Sequence, residues 1–156
     1  MKLTNRELEI VAVPICIAAN CIPCTRYHVR EAASLGATQL DIVSAMGAAL
    51  SATALAAVGE IAIQALAREF AGSADSPDPK LALLADVGIA ACTAHTSQLL
   101  SAINKARAGG CHDVQCMQVV GLARSIRQKA ESYLDLSVNS LDASPCLAAE
   151  TAGLCR

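Results

Sequence analysis

Between Asp41 and Glu60 the chain carries no charge, and the intervening "IVSAMGAALSATALAAVG", Ile42 to Gly59, consists mostly of Ala, Gly, Ser and Thr. This segment narrows the choice of fold more than any other. It is long enough to be weighed as a membrane span, but its small side chains yield little transfer energy and an acidic residue bounds each end. Strands fare no better, since they draw on β-branched and aromatic side chains. Closely packed helices remain, and the rest of the chain agrees: 54% of residues are hydrophobic but only 2% aromatic, with Ala, Leu, Val and Ile supplying the apolar content. We read the fold as all-α. A length of 156 residues corresponds to one compact domain able to bury a core of its own.

The net charge is −2 with both signs interspersed, so no basic stripe or aromatic platform is available for nucleic acid. At the N-terminus Lys2 and Arg6 are followed closely by Glu7 and Glu9, and the apolar run "IVAVPICIAA" is short and lacks a small-residue cleavage site. Neither export nor membrane insertion is expected, which gives a cytoplasmic address. There the eight cysteines stay reduced unless they are catalytic or bind metal. No cofactor is called for.

Turn residues divide the chain. Asn5 is a candidate cap for a first helix running to about Ala19, which Pro14 should bend. Asn20 is a candidate cap for a second, from Cys21 to Leu35, with Pro23 in its first turn and Gly36 as its stop. Thr38 and Asp41 make a capping box for a third, and a break at Ser51 to Thr53 separates it from another ending near Phe70. "AGSADSPDPK" is the clear linker. The organisation is therefore a helical unit over 1–71, a linker over 72–79, a second helical unit over 80–135 and a tail over 136–156. The second unit reads as a degenerate repeat of the first: a shift of 74 positions pairs Val13 with Val87, Ile15 with Ile89, Ala32 with Ala106, Gly36 with Gly110, Gly47 with Gly121 and Ala49 with Ala123.

The chemistry falls in one unit only. In "NCIPCTRYH", Asn20 to His28, Cys21 and Cys24 lie one helical turn apart on one face, close enough to form a disulfide, and His28 lies one turn beyond Cys24. A helix N-terminus lowers a thiol's pKa, which favours the nucleophilic thiolate. His28 is placed to exchange a proton, and Glu9 on the preceding helix is the best-placed carboxylate to orient it if the two helices pack antiparallel. The same spacing also suits two buried thiols beside a packing histidine. A zinc site would need a fourth ligand that the stretch does not offer. Under the 74-residue shift, Glu9, Cys21, Cys24 and His28 meet Leu83, His95, Gln98 and Ala102, which cannot do this chemistry.

The segment "RELEIVAVPICIAANCIPCTRYHVREAASLGATQLDIVSAMGAA" resembles the core of the alkylhydroperoxidase D and carboxymuconolactone decarboxylase superfamily. Redox members of that superfamily carry Glu, then Cys-x-x-Cys-x-x-x-His at the spacing of Glu9, Cys21, Cys24 and His28. The resemblance implies a helical fold, a trimer or hexamer, and a thiol-dependent oxidoreductase. Such an enzyme reduces hydroperoxides or disulfides with electrons from a lipoyl- or thioredoxin-type donor. It further implies that Cys24 attacks, that Cys21 resolves the sulfenic acid as a disulfide, and that Glu9 and His28 relay protons. By electrostatics Cys21, nearer the helix end, has the stronger claim to be the thiolate. Pro23 stands where well-known members can have a further histidine, so one relay element is replaced by a rigid residue that still permits disulfide exchange.

Two other functions fit parts of the sequence. One is a lactone decarboxylase-like lyase, whose relatives generally lack the cysteine pair. The other is a non-enzymatic metal-binding or assembly protein using Cys92, His95, Cys111, His112 and Cys116, which together could supply zinc ligands. The repeat register sets Cys92 and Cys116 opposite Ala18 and Ile42, so we expect these two, like Cys16, to be buried apolar side chains and no metal to be bound. Cys146 and Cys155 are candidates for adventitious oxidation or a link between subunits.

Overall fold

A computed structural model describes residues 1–52 and 78–142. Among them are six helices and no strand: α1 (Asn5–Ala18), α2 (Ile22–Ser34), α3 (Gln39–Ala52), α4 (Pro79–Cys92), α5 (Thr96–Ala108) and α6 (Asp113–Asp142). The all-α expectation holds. The helix expected to end near Phe70, most of the linker, Cys146 and Cys155 lie outside the described residues. Within the described residues, no helix is long and apolar enough to cross a membrane.

Local chemistry sets where each helix starts. Thr4, rather than Asn5, caps α1: its hydroxyl accepts the Glu7 N–H at 3.3 Å while Glu7 Oε2 accepts the Thr4 N–H at 2.7 Å. Both residues are good caps, and Glu7 three positions beyond Thr4 decides between them. Thr38 and Asp41 form the expected box at α3, with the Thr38 N–H donating to Asp41 Oδ2 at 2.8 Å and the Asp41 N–H donating back to Thr38 Oγ1 at 3.2 Å. The end of the linker acts as a cap, for the Asp78 carboxylate accepts the Lys80 N–H at 2.9 Å and Pro79 opens α4.

The core is organised around α1. Every residue from Ile10 to Cys16 is buried, including Pro14, which lies within a continuous helix. An amphipathic helix would alternate burial with exposure. This one is enclosed by α2, α3, α4 and α6. Where α4 passes α1 there is no room for a side chain: a Cβ built on Gly88 would overlap Ile15 Cδ1 and stand 2.9 Å from Val119 Cγ1. Val87, Leu84, Val119 and Ile126 complete the packing. Along α6, residues 131–137 are all exposed. The helix itself runs unbroken to Asp142, past the expected start of a tail at 136.

Helices α4 and α5 have the bounds of α1 and α2 moved by 74 positions, and α6 begins 74 positions after α3. The turns match as well. Asn20 and Ala94 have φ of 52° and 59°, and Gly36 and Gly110 have φ of 80° and 83°. Glycine and asparagine tolerate the left-handed region, whereas alanine is strained there by roughly 1–2 kcal/mol.

Ala94→Gly is therefore expected to stabilise the protein by about 0.5–1 kcal/mol in chemical denaturation, the relief of strain exceeding the added chain entropy. Gly88→Ala should do the opposite. With Ile15 wholly buried and unable to move aside, the loss measured the same way should be about 1–3 kcal/mol.

Candidate functional site

The turn after α1 creates the site. Asn20, left-handed, reverses the chain, and the Cys21 N–H donates to the Cys16 carbonyl at 3.0 Å. Cys21 then serves as the cap of α2 with extended backbone, φ −104° and ψ 92°, and its Sγ accepts the Cys24 N–H at 3.3 Å. The sequence suggested Asn20 as this cap. Asparagine suits both roles, and the tight reversal takes it for the left-handed position. Pro23 lies in the first turn, where no internal hydrogen bond is lost.

Cys21 and Cys24 are joined by a disulfide, Cα to Cα 5.3 Å. Both are nearly sealed from solvent, at 4% and 5% exposure. Thr25, also buried, donates its hydroxyl to the Cys21 carbonyl at 2.9 Å and so ties the cap to the next turn. One turn beyond Cys24, the buried His28 places Nδ1 2.6 Å from Glu9 Oε2. With Glu9 ionised, Nδ1 holds the proton and Nε2 is the nitrogen left to take up or release one. Glu9 reaches across because α1 and α2 run antiparallel: at the far end of the pair, Arg6 Nε donates to the Gly36 carbonyl and Arg6 pairs with Asp41 at 2.5 Å. Tyr27 meets the imidazole edge to face, with ring centroids 5.1 Å apart. Glu9, Cys21, Cys24 and His28 thus gather on one helix pair. Thr25 and Tyr27 escaped the sequence reading, although Thr25 stands at the i+4 position from Cys21, where such a hydroxyl bond is local.

The other described thiols differ in kind. Burial above all, then Cys92 and Glu9, pushes the Cys16 thiol up to about 12, against a smaller opposing effect of Lys129. Burial likewise raises Cys92, Cys111 and Cys116. Thiols held protonated are poor nucleophiles and poor ligands. Nor do the five candidate metal ligands converge. Cys92 ends α4, while Cys111 Sγ lies 3.9 Å from the Lys80 carbonyl at the start of that helix. A helix of this length separates its ends by roughly 18 Å. Among the described residues no three His, Cys, Asp or Glu side chains are grouped to hold a metal.

Residues 1–68 match the model of the carboxymuconolactone decarboxylase family. The matched part contains Glu9, Cys21, Cys24 and His28 and ends before α4. No curated protein and no solved structure matches the chain.

The buried Cys16 thiol makes stability depend on pH. Its folded value, about 12, exceeds the ordinary 9.0, so the native state keeps its proton where the unfolded chain has lost it. The contribution is complete below the lower value and lost progressively as pH rises through the interval. Denaturation midpoints should fall between about pH 8 and about pH 10, with a shallower fall in Cys16→Ala. An equal slope in the variant would count against this assignment.

Proposed function

We propose that the unit matching the carboxymuconolactone decarboxylase family works as a thiol-dependent oxidoreductase, with Cys21 and Cys24 as a cycling dithiol. The observation that carries this reading is the conjunction of the Cys21–Cys24 pair at the start of α2 with the His28–Glu9 pair one turn further along the same helix. A cysteine pair meant only for packing needs no carboxylate-oriented imidazole beside it.

In the peroxide reaction, one thiolate attacks the terminal oxygen of a hydroperoxide. The O–O bond breaks, an alcohol leaves with a proton, and the cysteine becomes a sulfenic acid. The second thiol displaces water and closes the disulfide, so two electrons pass from the sulfurs to the peroxide. With a disulfide substrate, the same pair exchanges through a mixed disulfide. The Cys24 amide, aimed at Cys21 Sγ, and the start of α2 both favour negative charge on Cys21. Cys24, on the helix face that carries His28, is the thiol assigned to attack by the resemblance. His28 moves the proton and Glu9 holds its ring. Trimers or hexamers, and a lipoyl- or thioredoxin-type electron donor, belong to the same reading.

The family also accommodates a lyase, and its name favours one. The two readings divide at the sulfurs, since decarboxylation of a lactone needs neither thiol. Reduced protein given one equivalent of an organic hydroperoxide, or a small disulfide, should rapidly lose free Cys21 and Cys24 by differential alkylation and mass spectrometry. Cys21→Ser should accumulate a sulfenic acid on Cys24 and stop turning over, and Cys24→Ser should stop without that adduct. Glu9→Gln and His28→Ala should each slow turnover about a hundredfold. Persistently free thiols with both oxidants would overturn the reading. Carbon dioxide release from a carboxylated lactone that survives both serine substitutions would favour the lyase.

A further inference from the structure

The turn between α5 and α6 carries two thiols outside the site described above. Gly110, left-handed at φ 83°, ends α5: its N–H donates to the Arg107 carbonyl at 3.0 Å, and the Cys111 N–H donates to the Ala106 carbonyl at 2.9 Å. A new helix begins almost at once. The His112 carbonyl accepts the Cys116 N–H at 3.2 Å, and the His112 N–H donates to Gln115 Oε1 at 2.9 Å, the backward half of a capping box with His112 as the cap. Cys111 is therefore the residue just before the cap, and Cys116 is the fourth of the helix. Side chains at these two positions pack against each other across the first turn, as a hydrophobic staple.

Both cysteines are buried in the same core cluster, at 6% and 2% exposure. Repulsion between neighbouring thiolates falls on whichever loses its proton second, and at Cys111 the influence of Cys116 is the largest after burial. A cysteine side chain ends one atom beyond Cβ, so two of them packed in a staple bring sulfur within reach of sulfur. The first unit shows what the turn itself requires. There, 74 positions earlier, the Ala37 N–H donates to the Ala32 carbonyl at 2.9 Å and the Ile42 N–H to the Thr38 carbonyl at 3.3 Å, with Ala37 and Ile42 both buried. An aliphatic pair makes that staple, whereas both members of the second are thiols.

We propose that Cys111 and Cys116 are a second oxidation site, which a small disulfide closes into a Cys111–Cys116 bond across the α5–α6 junction. One cysteine, as thiolate, attacks the external disulfide, forming a mixed disulfide and releasing one small thiolate. The other cysteine then attacks the protein sulfur of that bond and displaces the second small thiolate. Two electrons pass from the protein sulfurs to the external disulfide, and the two thiol protons go to the thiolates released. Burial raises both thiols; Asp78 adds to this at Cys111 and Asp113 at Cys116, while Lys80 and Arg107 respectively oppose it. Closure is accordingly slow at neutral pH and quickens as pH rises. It does not depend on Cys21 and Cys24.

Trypsin isolates the pair, since residues 108–124 contain these two cysteines and no other, while Cys21 and Cys24 fall in 7–26. Native protein and protein unfolded in urea are equilibrated with mixtures of hydroxyethyl disulfide and mercaptoethanol at mildly alkaline pH, then alkylated, digested and weighed. Fragment 108–124 of the native protein should carry an internal disulfide, half-formed at about tenfold less oxidant than the unfolded chain needs, because the staple presents the sulfurs to each other. Oxidation should then raise the denaturation midpoint by more in the native chain than in Cys111→Ala with Cys116→Ile, which restores the residues of the first unit's staple. If that variant does not fold, the comparison of native with unfolded protein still decides. Thiols in 108–124 that stay open to alkylation, mixed disulfides in place of the internal bond, or closure no easier than in the unfolded chain would overturn the proposal. A failure confined to 108–124 leaves the Cys21–Cys24 reading standing, and one confined to 7–26 leaves this site standing.

Discussion

A helix with no outward face imposes its own order on its neighbours. From Ile10 to Cys16, α1 gives nothing to solvent, so its apolar surface is stabilised only if other helices surround it. Gly88 is the clearest accommodation, since α4 approaches so closely that even a methyl group would collide with Ile15. The Ala-rich composition follows from the same demand, as short side chains let helix axes draw together. Glu9 stands one residue before the enclosed run. A carboxylate there is held at the edge of the core, half-shielded, and the nearest helix offers it an imidazole.

The enclosure also sorts the thiols. Cys16 sits inside the buried run and is kept protonated by its surroundings. Cys21, five residues later, is only slightly more exposed, yet it stands at the beginning of a helix with an amide N–H directed at its sulfur. Burial and backbone polarity act in opposite directions on a thiolate. Cys16 lies inside a buried helix and Cys21 at a helix start, so similar burial meets different backbone surroundings at the two sulfurs.

Much of this could be read from residue spacing. The separations of Glu9, Cys21, Cys24 and His28 bring them together once two antiparallel helices are assumed, and the Arg6 contacts to Gly36 and Asp41 supply that antiparallel arrangement. Gly36 and the Thr38–Asp41 box mark their turns because few residues do those jobs. The misreadings arose where one residue type suits two jobs: Asn20 as cap or left-handed turn, Thr4 or Asn5 as the first cap. Local sequence leaves such choices to the path of the chain. The length of α6 was hidden for another reason, since residues 131–137 are exposed and carry none of the periodicity by which packed helices are recognised. Thr25 and Tyr27 act through contacts that depend on the conformation of the turn around them.

The two left-handed turns that recur 74 positions apart, Asn20 with Ala94 and Gly36 with Gly110, allow the molecule to be read against itself. What α4 and α5 share with α1 and α2 is what the helical hairpin needs in order to form. What they lack, at Leu83, His95, Gln98 and Ala102, is the set of side chains that the proposed function uses. The chain thus carries an internal reference for the half in which the proposed chemistry lies. Installing Glu, Cys, Cys and His at those four places would ask whether the hairpin geometry suffices to make a dithiol reactive, or whether the setting of α1 is also required.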